Sequence, residues 1–300
     1  MQINSFNTLS SNSIYQQQQL QLQLWQPSTL NLSKTLFQLP STDDVQGGLR
    51  RREFIAYLQP KFDLRTGQVN SAEVLARWHH PRWGVLSPAT FIPVMKREEC
   101  LDKLLFELLE QSLACQLRLY DQGILIGMAF NLSLAQLING KLVEHLETRL
   151  RRHPLPLSSL TFEITEDGPI GASATNVEQL NRLHLLGVRL SIDDFGTGYS
   201  SLLRLCQAPF SEIKLAEEFT RLIEGPPHYL AVIRNTLALA VDLNMELVVE
   251  GIETTVQRDR LHNMGVQIGQ GYLCAQAMPT PVFEKWGKNS HPYFLTSPVS

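Results

Sequence analysis

From about residue 50 onward, the chain alternates between short apolar runs of strand length and longer segments with helical periodicity. Each apolar run contains a polar residue, in most cases at its end. Eight such runs are present, at residues 54–59, 69–73, 124–131, 160–163, 188–193, 213–215, 246–250 and 266–270. Apolar runs of this length indicate buried strands.

Helical patterns lie between most of the predicted strands. In residues 102–119, leucines recur at the spacing of one helical face. Similar patterns cover residues 134–150, 176–186, 229–243 and 254–264. Gly187 and Gly265 follow two of these segments, at the position where helices commonly end.

The alternation of strands and helices favours a parallel sheet with helical crossovers. Eight units in about 240 residues predict an α/β fold of the (β/α)8 TIM-barrel type, because such barrels typically have about 250 residues. An open, doubly wound sheet is the alternative, but no G-x-G-x-x-G follows the first strand. We assign residues 46–288 to the barrel.

The first 45 residues differ in composition from the rest. They are rich in Ser, Asn and Gln, with consecutive glutamines at 16–19 followed by leucines that alternate with glutamine. Such low-complexity polar sequence predicts a disordered tail. The Leu/Gln alternation could become ordered on binding, which makes residues 1–45 a candidate contact for a regulatory protein partner. Residues 289–300 are predicted to form a C-terminal tail.

Charge and cysteine content narrow the class of protein. The chain has 300 residues, a net charge of −3 and a pI of about 6.2, so nucleic-acid polymers are not expected as partners. Its four cysteines are far apart, which predicts buried thiols in a reducing compartment. The sequence has no charged segment ahead of an N-terminal apolar run and no apolar run of membrane-spanning length. We expect a cytoplasmic protein without a membrane segment.

The stretch SIDDFGTGYSSL, at residues 191–202, contains the clearest candidate chemistry. Asp193 and Asp194 are adjacent at the end of a predicted strand, and Gly196 and Gly198 follow them. Neighbouring carboxylates raise each other's pKa, whereas a divalent cation would use both as ligands. For this motif alone, a solvated Asp-Asp pair at a turn is the alternative.

A barrel would bring the polar ends of the other strands to the same place, because the carboxyl ends of parallel strands share one mouth. The residues expected there are Glu73, Asn131, Glu163, Asp193, Asp194, Lys214, Glu250 and Gln270. Most offer oxygen ligands, and none is Cys or His, which favours Mg²⁺ or Mn²⁺. Two such ions sharing Asp193 would lie about 3.5–4 Å apart, a spacing used to cleave phosphoryl groups.

Eight sequence motifs occur in an order that resembles one known family. They are AEVLARWHHP (72–81), SPATFIP (87–93), FNLS (130–133), FEITE (162–166), DDFGTGYSSL (193–202), IKLA (213–216), VEGIET (249–254) and QGYL (270–273). The set resembles the EAL-domain family of cyclic di-GMP phosphodiesterases. The resemblance extends from about residue 57 to residue 279, nearly the whole predicted barrel.

The resemblance implies a role for each matching residue. It implies that a first metal ion is bound by Glu73, Asn131, Glu163 and Asp193. It implies that a second is bound by Asp193, Asp194 and Glu250, with Glu250 and Lys214 as the catalytic residues. Substrate contacts would come from Gln59, Arg77 and Gln270. Glu166 and Glu253 would support the loops around the site.

The same resemblance implies an activity and an assembly. The activity is hydrolysis of cyclic di-GMP to linear pGpG, which lowers the concentration of this second messenger. It would require two Mg²⁺ or Mn²⁺ ions and be inhibited by Ca²⁺. The family also implies a homodimer, with residues 195–201 and the following helix near the interface.

One of two departures in the matched motifs keeps other functions open. Val74 replaces the alanine of the Glu-Ala-Leu signature, but its side chain should point away from the mouth because strand neighbours alternate, so we expect it to be tolerated. Ala216 replaces the aspartate of Lys-Ile-Asp. Loss of a carboxylate near the metals could leave a cyclic di-GMP receptor with little or no turnover. A module that acts only on a protein partner is the third hypothesis.

Overall fold

The computed structural model describes residues 40–138, 140–165, 174–197 and 202–289. Apolar residues account for most of the buried positions in the longer strands. The strands in these segments are β1 (Phe54–Asp63), β2 (Val69–His80), β3 (Gly84–Leu86), β4 (Gly127–Ser133), β5 (Leu160–Thr165), β6 (Arg189–Phe195), β7 (Glu212–Leu215), β8 (Glu246–Val249), β9 (Ile268–Gln270) and β10 (Met278–Pro279).

Eight of these strands close into a barrel. Each pairs with two neighbours in the order β1, β2, β4, β5, β6, β7, β8, β9, and β9 pairs again with β1. The pairs from β2 to β9 are parallel, whereas the short strands β3 and β10 extend β2 and β1. The TIM-type barrel is confirmed, and every predicted strand overlaps one of its eight strands.

Helices follow most of the parallel strands, as the alternation predicts. The helices in the described segments are α1 (Thr42–Arg50), α2 (Pro88–Arg97), α3 (Leu101–Tyr120), α4 (Lys141–Leu150), α5 (Ala174–Leu186), α6 (Leu202–Gln207), α7 (Glu217–Arg221), α8 (Pro227–Asp242), α9 (Thr255–Asn263) and α10 (Thr280–Asn289). The predicted helix at 134–150 is divided into a 3-10 turn and α4. Gly140, with a φ of 69°, precedes α4.

The first strand runs against the direction expected for a (β/α)8 barrel. β1 is antiparallel to both of its barrel neighbours, β2 and β9. Its link to β2 is a tight turn in which Asp63 Oδ1 accepts hydrogen bonds from the backbone N–H groups of Arg65 and Thr66, and Gly67 has a φ of 75°. A link this short permits only an antiparallel hairpin, because a parallel pair needs a long crossover.

Two strands are longer than the apolar pattern indicates. β1 continues through Pro60, which lies between the residues that pair with β10 and those that pair with β9. A proline is tolerated where no neighbouring strand needs its N–H. β2 continues to His80, because β1 and β3 pair with its second half. Glu73 therefore lies within a strand and not at a strand end as predicted.

Helix α3 shows how the apolar face predicted for residues 102–119 is used. Its buried leucines include Leu104, Leu105, Leu108 and Leu109. Burying one such side chain contributes about 1.5–3 kcal/mol. Gln111 fixes the helix to β1, since its Nε2 donates to Phe54 O at 2.8 Å and its Oε1 accepts from Ala56 N at 2.9 Å.

The ends of the described region bear on two further predictions. Helix α1 begins at Thr42, a few residues before the expected start of the barrel domain at residue 46. Its N-terminus is closed by Ser41, whose side chain accepts from Asp44 N. Residues 1–39 and 290–300 lie outside the described residues. None of the described helices is long and apolar enough to cross a membrane.

Gly271 lies where two backbone segments approach each other closely. A Cβ at this position would lie 2.2 Å from Ile252 O and 2.3 Å from Ile252 N. Ile252 N donates to Gln270 O at 3.1 Å, and Leu273 N donates to Ile252 O at 2.9 Å. These bonds fix the loop after β8 against the end of β9.

We expect Gly271→Ala to lower the free energy of unfolding by at least about 1–3 kcal/mol, because the added methyl group meets backbone that cannot move aside. Urea denaturation followed by circular dichroism measures the loss. Gly225→Ala is the control, since its Cβ would come no closer than 3.1 Å to Leu222 O. Wild-type stability for Gly271→Ala would show that the two segments can separate at little cost.

Candidate metal centre

Strand alternation places charged side chains inside the barrel. Successive side chains point to opposite faces of a strand, so residues two apart share the interior. On β7, Glu212 and Lys214 form such a pair, and both are buried. The interior also receives Glu73 from β2, Glu163 from β5 and Asp193 from β6, which are 6%, 0% and 7% exposed. Buried charges of this kind need partners, because an isolated one costs several kcal/mol or more.

Lys214 is the partner shared by most of these carboxylates. Its side chain is 1% exposed, and its Nζ atom lies among four carboxylates. The distances from Nζ are 2.7 Å to Glu250 Oε1, 2.8 Å to Glu163 Oε2, 3.0 Å to Asp193 Oδ1 and 3.3 Å to Glu73 Oε2. One ammonium group thus joins residues from four other elements.

Two amides complete the surroundings of Glu73. Asn131 Nδ2 donates to Glu73 Oε1 at 2.9 Å, and Gln270 Nε2 donates to Glu73 Oε2 at 2.7 Å. Gln270 is 4% exposed, and its Oε1 atom has no hydrogen-bond partner among the described residues. A buried acceptor without a donor is expected where a water, an ion or a ligand binds.

A second buried lysine, Lys61, lies below Glu163. Its Nζ is 2.8 Å from Glu163 Oε1 and 2.8 Å from Glu212 Oε1. The sequence analysis did not identify Lys61 or Glu212. The signal in the sequence was their spacing: Lys61 lies two residues after Gln59, and Glu212 lies two residues before Lys214. This spacing puts Lys61 and Glu212 on the interior face. We call Lys61, Glu73, Glu163, Asp193, Glu212, Lys214 and Glu250 the barrel ion-pair network.

Asp193, Asp194 and Glu250 form the group best suited to a metal ion. One carboxylate oxygen from each lies within 4.8 Å of the others. Asp194 has a φ of 51°, a left-handed conformation that is unfavourable for most residues. Such strain typically costs about 1–3 kcal/mol and often marks functional sites. Here it allows two successive side chains to reach the same group, although strand neighbours normally diverge.

Burial controls the protonation of this group. It raises the pKa of Glu250 to about 8, despite the opposing effect of Lys214. Burial likewise raises the pKa values of Glu73, Asp193 and Asp194. Burial alone would also raise the pKa of Glu163, but Lys214 and Lys61 outweigh it and lower this pKa to about 2. Apart from Glu163, these carboxylates therefore have too little positive charge around them to offset their burial.

The charge balance fits divalent cations. Together with Asp194, the barrel ion-pair network contains six carboxylates and two ammonium groups, which leaves four negative charges when all are ionised. The surrounding donors are oxygen atoms of carboxylates and amides, the ligands that hard cations select. The cluster of Asp193, Asp194 and Glu250 could hold a metal ion.

The remaining predicted site residues lie around this centre. Gln59 is half-buried and is the register partner of Glu73 across β1 and β2. Arg77 lies further along β2, where its guanidinium is 5.6 Å from the ring centre of Tyr57 and donates to Ala76 O. Glu253 is exposed on the loop after β8. Glu166 lies outside the described residues.

The two departures from the family pattern have different surroundings. Val74 is buried on the outer face of β2, in the hydrophobic core, whereas Glu73 beside it points inward. Ala216 is 1% exposed and precedes helix α7, with no side-chain hydrogen bond to the helix. Position 216 is thus the N-cap of a short helix that begins directly after β7.

A cavity of about 420 Å³ opens beside the metal centre. Its polar wall includes Glu73, Asn131 and Asp194, and its other walls are mainly apolar side chains of β2, α2 and α3. A pocket of this size that combines apolar walls with a few polar groups is typical of a small-molecule site.

Comparison with known proteins agrees with the fold. Residues 42–277 match the family described as EAL domain. The chain is 47% identical over 246 residues to cyclic di-GMP phosphodiesterase RocR of Pseudomonas aeruginosa, a match that covers 82% of this chain and 63% of RocR. It therefore spans less than two thirds of the length of that relative.

Two solved structures share the barrel. The PaMucR phosphodiesterase in complex with c-di-GMP is 32% identical, with a TM-score of 0.72, and the match covers 80% of this chain and 98% of that one. The EAL enzyme Bd1971, bound to cAMP and cyclic di-GMP, is 28% identical with a TM-score of 0.74, covering 82% and 67%. The match to the EAL domain model, at residues 42–277, spans well over half of this chain. The chain therefore belongs to the EAL domain family.

Proposed function

We propose that the protein hydrolyses cyclic di-GMP to linear pGpG in a metal-dependent reaction. The observation that carries the proposal is the triad of Asp193, Asp194 and Glu250 joined to Lys214 at the mouth of an EAL barrel. Two comparisons support the choice of substrate. RocR is named as a cyclic di-GMP phosphodiesterase, and the PaMucR structure is a c-di-GMP complex.

The proposed cofactors are two Mg²⁺ or Mn²⁺ ions. Glu73, Asn131, Glu163 and Asp193 would hold the first ion, and Asp193, Asp194 and Glu250 would hold the second. When bound, such ions supply Lewis-acid activation of water and stabilise charge on the leaving oxygen. The four uncompensated negative charges of the cluster support this number of divalent ions.

Lys214 and Glu250 have different roles in the proposed reaction. A water oxygen forms a bond to phosphorus, the bond from phosphorus to the 3′ oxygen breaks, and a proton must leave the water. Glu250, whose Oε1 lies 2.7 Å from Lys214 Nζ, would take that proton. Burial opposes the charge of Lys214, but its four carboxylate neighbours raise its pKa well above the usual value. Lys214 therefore stays protonated and orients Glu250.

The other predicted residues would bind and position the substrate. Arg77, held near Tyr57 on the extension of β2, is available for a phosphate. Gln59 lies opposite Glu73 in the β1–β2 pair and Gln270 donates to Glu73 Oε2, so both would donate or accept hydrogen bonds there. Glu166 and Glu253 are proposed to support the surrounding loops.

We also propose a homodimer formed near residues 195–201 and helix α6. Leu202 and Leu203 at the start of α6 are 61% and 62% exposed, which is unusual for leucine and supports burial against a second copy. The residues before the barrel, 1–45, are proposed as a contact for a regulatory partner. The free cysteines Cys100 and Cys115 are buried and fit the reducing environment of the cytoplasm. The expectation of four buried thiols is wrong for Cys206, which is exposed, and for Cys274, which is half-buried.

A receptor that binds cyclic di-GMP without turnover is the second candidate. Ala216 is the observation in its favour, because the family pattern has an aspartate at this position. The barrel ion-pair network argues for turnover, since every carboxylate predicted to hold metal in the described residues is present.

Hydrolysis is tested by adding cyclic di-GMP to the purified chain with Mg²⁺, with Ca²⁺ or with chelator, and following pGpG by chromatography. We expect turnover with Mg²⁺ only, because the looser coordination of Ca²⁺ fits a magnesium site poorly. Glu73→Ala should abolish turnover, since it removes an oxygen ligand, whereas the exposed Glu144→Ala should not. Binding without turnover in all conditions would favour the receptor. An absence of both binding and turnover would favour the protein-interaction module.

Metal affinity should depend on pH through Glu250. Below pH 8 this carboxyl is largely protonated in the metal-free protein, because its pKa is raised to about 8. A metal ion must displace that proton, so the apparent Mn²⁺ affinity should rise by about tenfold per pH unit up to pH 8 and then level off. Mn²⁺ titration followed by electron paramagnetic resonance measures the slope. Glu250→Gln should flatten it, and a pH-independent wild-type affinity would contradict the assignment.

Ala216→Asp should raise the rate of hydrolysis by about tenfold or more, with little change in cyclic di-GMP affinity. An additional carboxylate near Lys214 would restore an outer contact, and such contacts are typically worth about 10–100-fold. Ala216→Asn is the matched control, because asparagine caps a helix as well as aspartate but adds no charge. Equal gains in both variants would assign the effect to capping of α7, and no gain in either would make position 216 irrelevant to the rate.

A further inference from the structure

Lys61 enters the barrel interior from the one antiparallel strand. It is 1% exposed, and its Nζ lies 2.8 Å from Glu163 Oε1 and 2.8 Å from Glu212 Oε1. Glu212 is at the start of β7, whereas Glu163 and Lys214 are closer to the mouth. Lys61 therefore reaches Glu163 from the end of the barrel opposite the mouth.

The two oxygens of Glu163 are divided between the two lysines. Oε1 faces Lys61, and Oε2 faces Lys214 at 2.8 Å. Glu163 is 0% exposed, so no water at the surface competes for either oxygen. Lys61 attracts Oε1 from below as an ion pair without hydrogen-bond geometry, since Oε1 accepts no hydrogen bond from the described residues, whereas Oε2 accepts from Lys214 on the side of the mouth.

The charge of Lys214 is spread over four carboxylates, including Glu250 at 2.7 Å. Lys61 neutralises Glu163 from the other side. Glu163 therefore depends less on the positive charge of Lys214. Without Lys61, a fully buried Glu163 would have Lys214 as its only ammonium partner among the described residues. Lys214 would then be drawn toward Glu163 and away from Glu250.

We infer that Lys61 is a positioning residue for the proposed metal centre, because it holds Glu163 so that Oε2 faces the metal ions and Lys214 remains beside Glu250. The inference rests on the proposed function. It concerns a residue that touches neither substrate nor ion and acts through Glu163. The contrasting role is purely structural, in which Lys61 does no more than neutralise Glu212.

A charge-neutral double variant separates these two roles. Lys61→Met alone leaves Glu163 and Glu212 without Lys61, and the resulting unpaired buried charge should lower the melting temperature. Lys61→Met with Glu212→Met removes one positive and one negative charge together. We expect the double variant to recover most of the melting temperature but not the metal affinity.

The main measurement is Mn²⁺ binding to the 300-residue chain, followed by electron paramagnetic resonance. The double variant should bind Mn²⁺ about 10–100-fold more weakly than the wild type, and kcat should fall by a similar factor. KM for cyclic di-GMP should change by no more than about twofold, because the proposed phosphate contact through Arg77 is untouched. Wild-type metal affinity and kcat in the double variant would overturn the inference.

Two further variants keep the test decisive. Glu212→Gln leaves Lys61 in contact with Glu163, so metal affinity should stay within about threefold of the wild type; a loss as large as that of Lys61→Met would assign the effect to the Lys61–Glu212 pair. Arg189→Met with Glu246→Met removes a half-buried ion pair of the same length, 2.8 Å, at the same end of the barrel and should leave metal affinity and kcat unchanged. If the wild type binds Mn²⁺ but shows no turnover, the proposed function fails while the Mn²⁺ titrations still test Lys61.

Discussion

The structure depends on confining five carboxylates around two buried lysines. An ionised carboxylate inside a protein is stable only when it is paired, and breaking such a pair typically costs about 3–5 kcal/mol. Lys214 contacts four carboxylates, and Lys61 contacts two, with Glu163 shared by both. The barrel supplies the rigidity that this arrangement requires, because each of these residues except Glu250 lies on a strand paired on both sides.

The excess negative charge is concentrated at one end of the network. Glu163 has a lowered pKa because two lysines hold it, whereas burial raises the pKa values of Glu73, Asp193 and Glu250. Burial in the metal-free protein thus makes ionisation least favourable at the mouth, on the residues that are best placed to bind cations. The left-handed conformation of Asp194 adds a further unfavourable term at the same place. Instability that is confined to the site in this way favours binding of a divalent ion over an empty mouth.

The sequence allowed the eight strands and most of the candidate site to be predicted, because both depend on local patterns. Apolar runs identified the strands, and the ordered motifs identified Glu73, Asn131, Asp193, Lys214 and Gln270, which the structure brings together. The direction of β1 could not be predicted, since an apolar run indicates a strand but not whether that strand is parallel or antiparallel to its neighbours. The predicted strand ended before Pro60, because proline is uncommon inside strands. The second half of β1, which contains Lys61, was therefore not predicted. The pairing of Lys61 with Glu212 joins residues 151 apart in sequence, so it required the register of the closed barrel.

The reversed first strand also determines where helix α1 packs. In an all-parallel barrel, the first strand begins at the end remote from the mouth. Here β1 begins with Phe54 beside Trp78 on the extension of β2, and α1 packs on both, since a Cβ at Gly48 would approach their rings within 3.1 Å. Helix α1 therefore contacts the metal-bearing end of the barrel. A displacement of α1 would be transmitted first to β1 and β2, the hairpin that carries Gln59, Glu73 and Arg77.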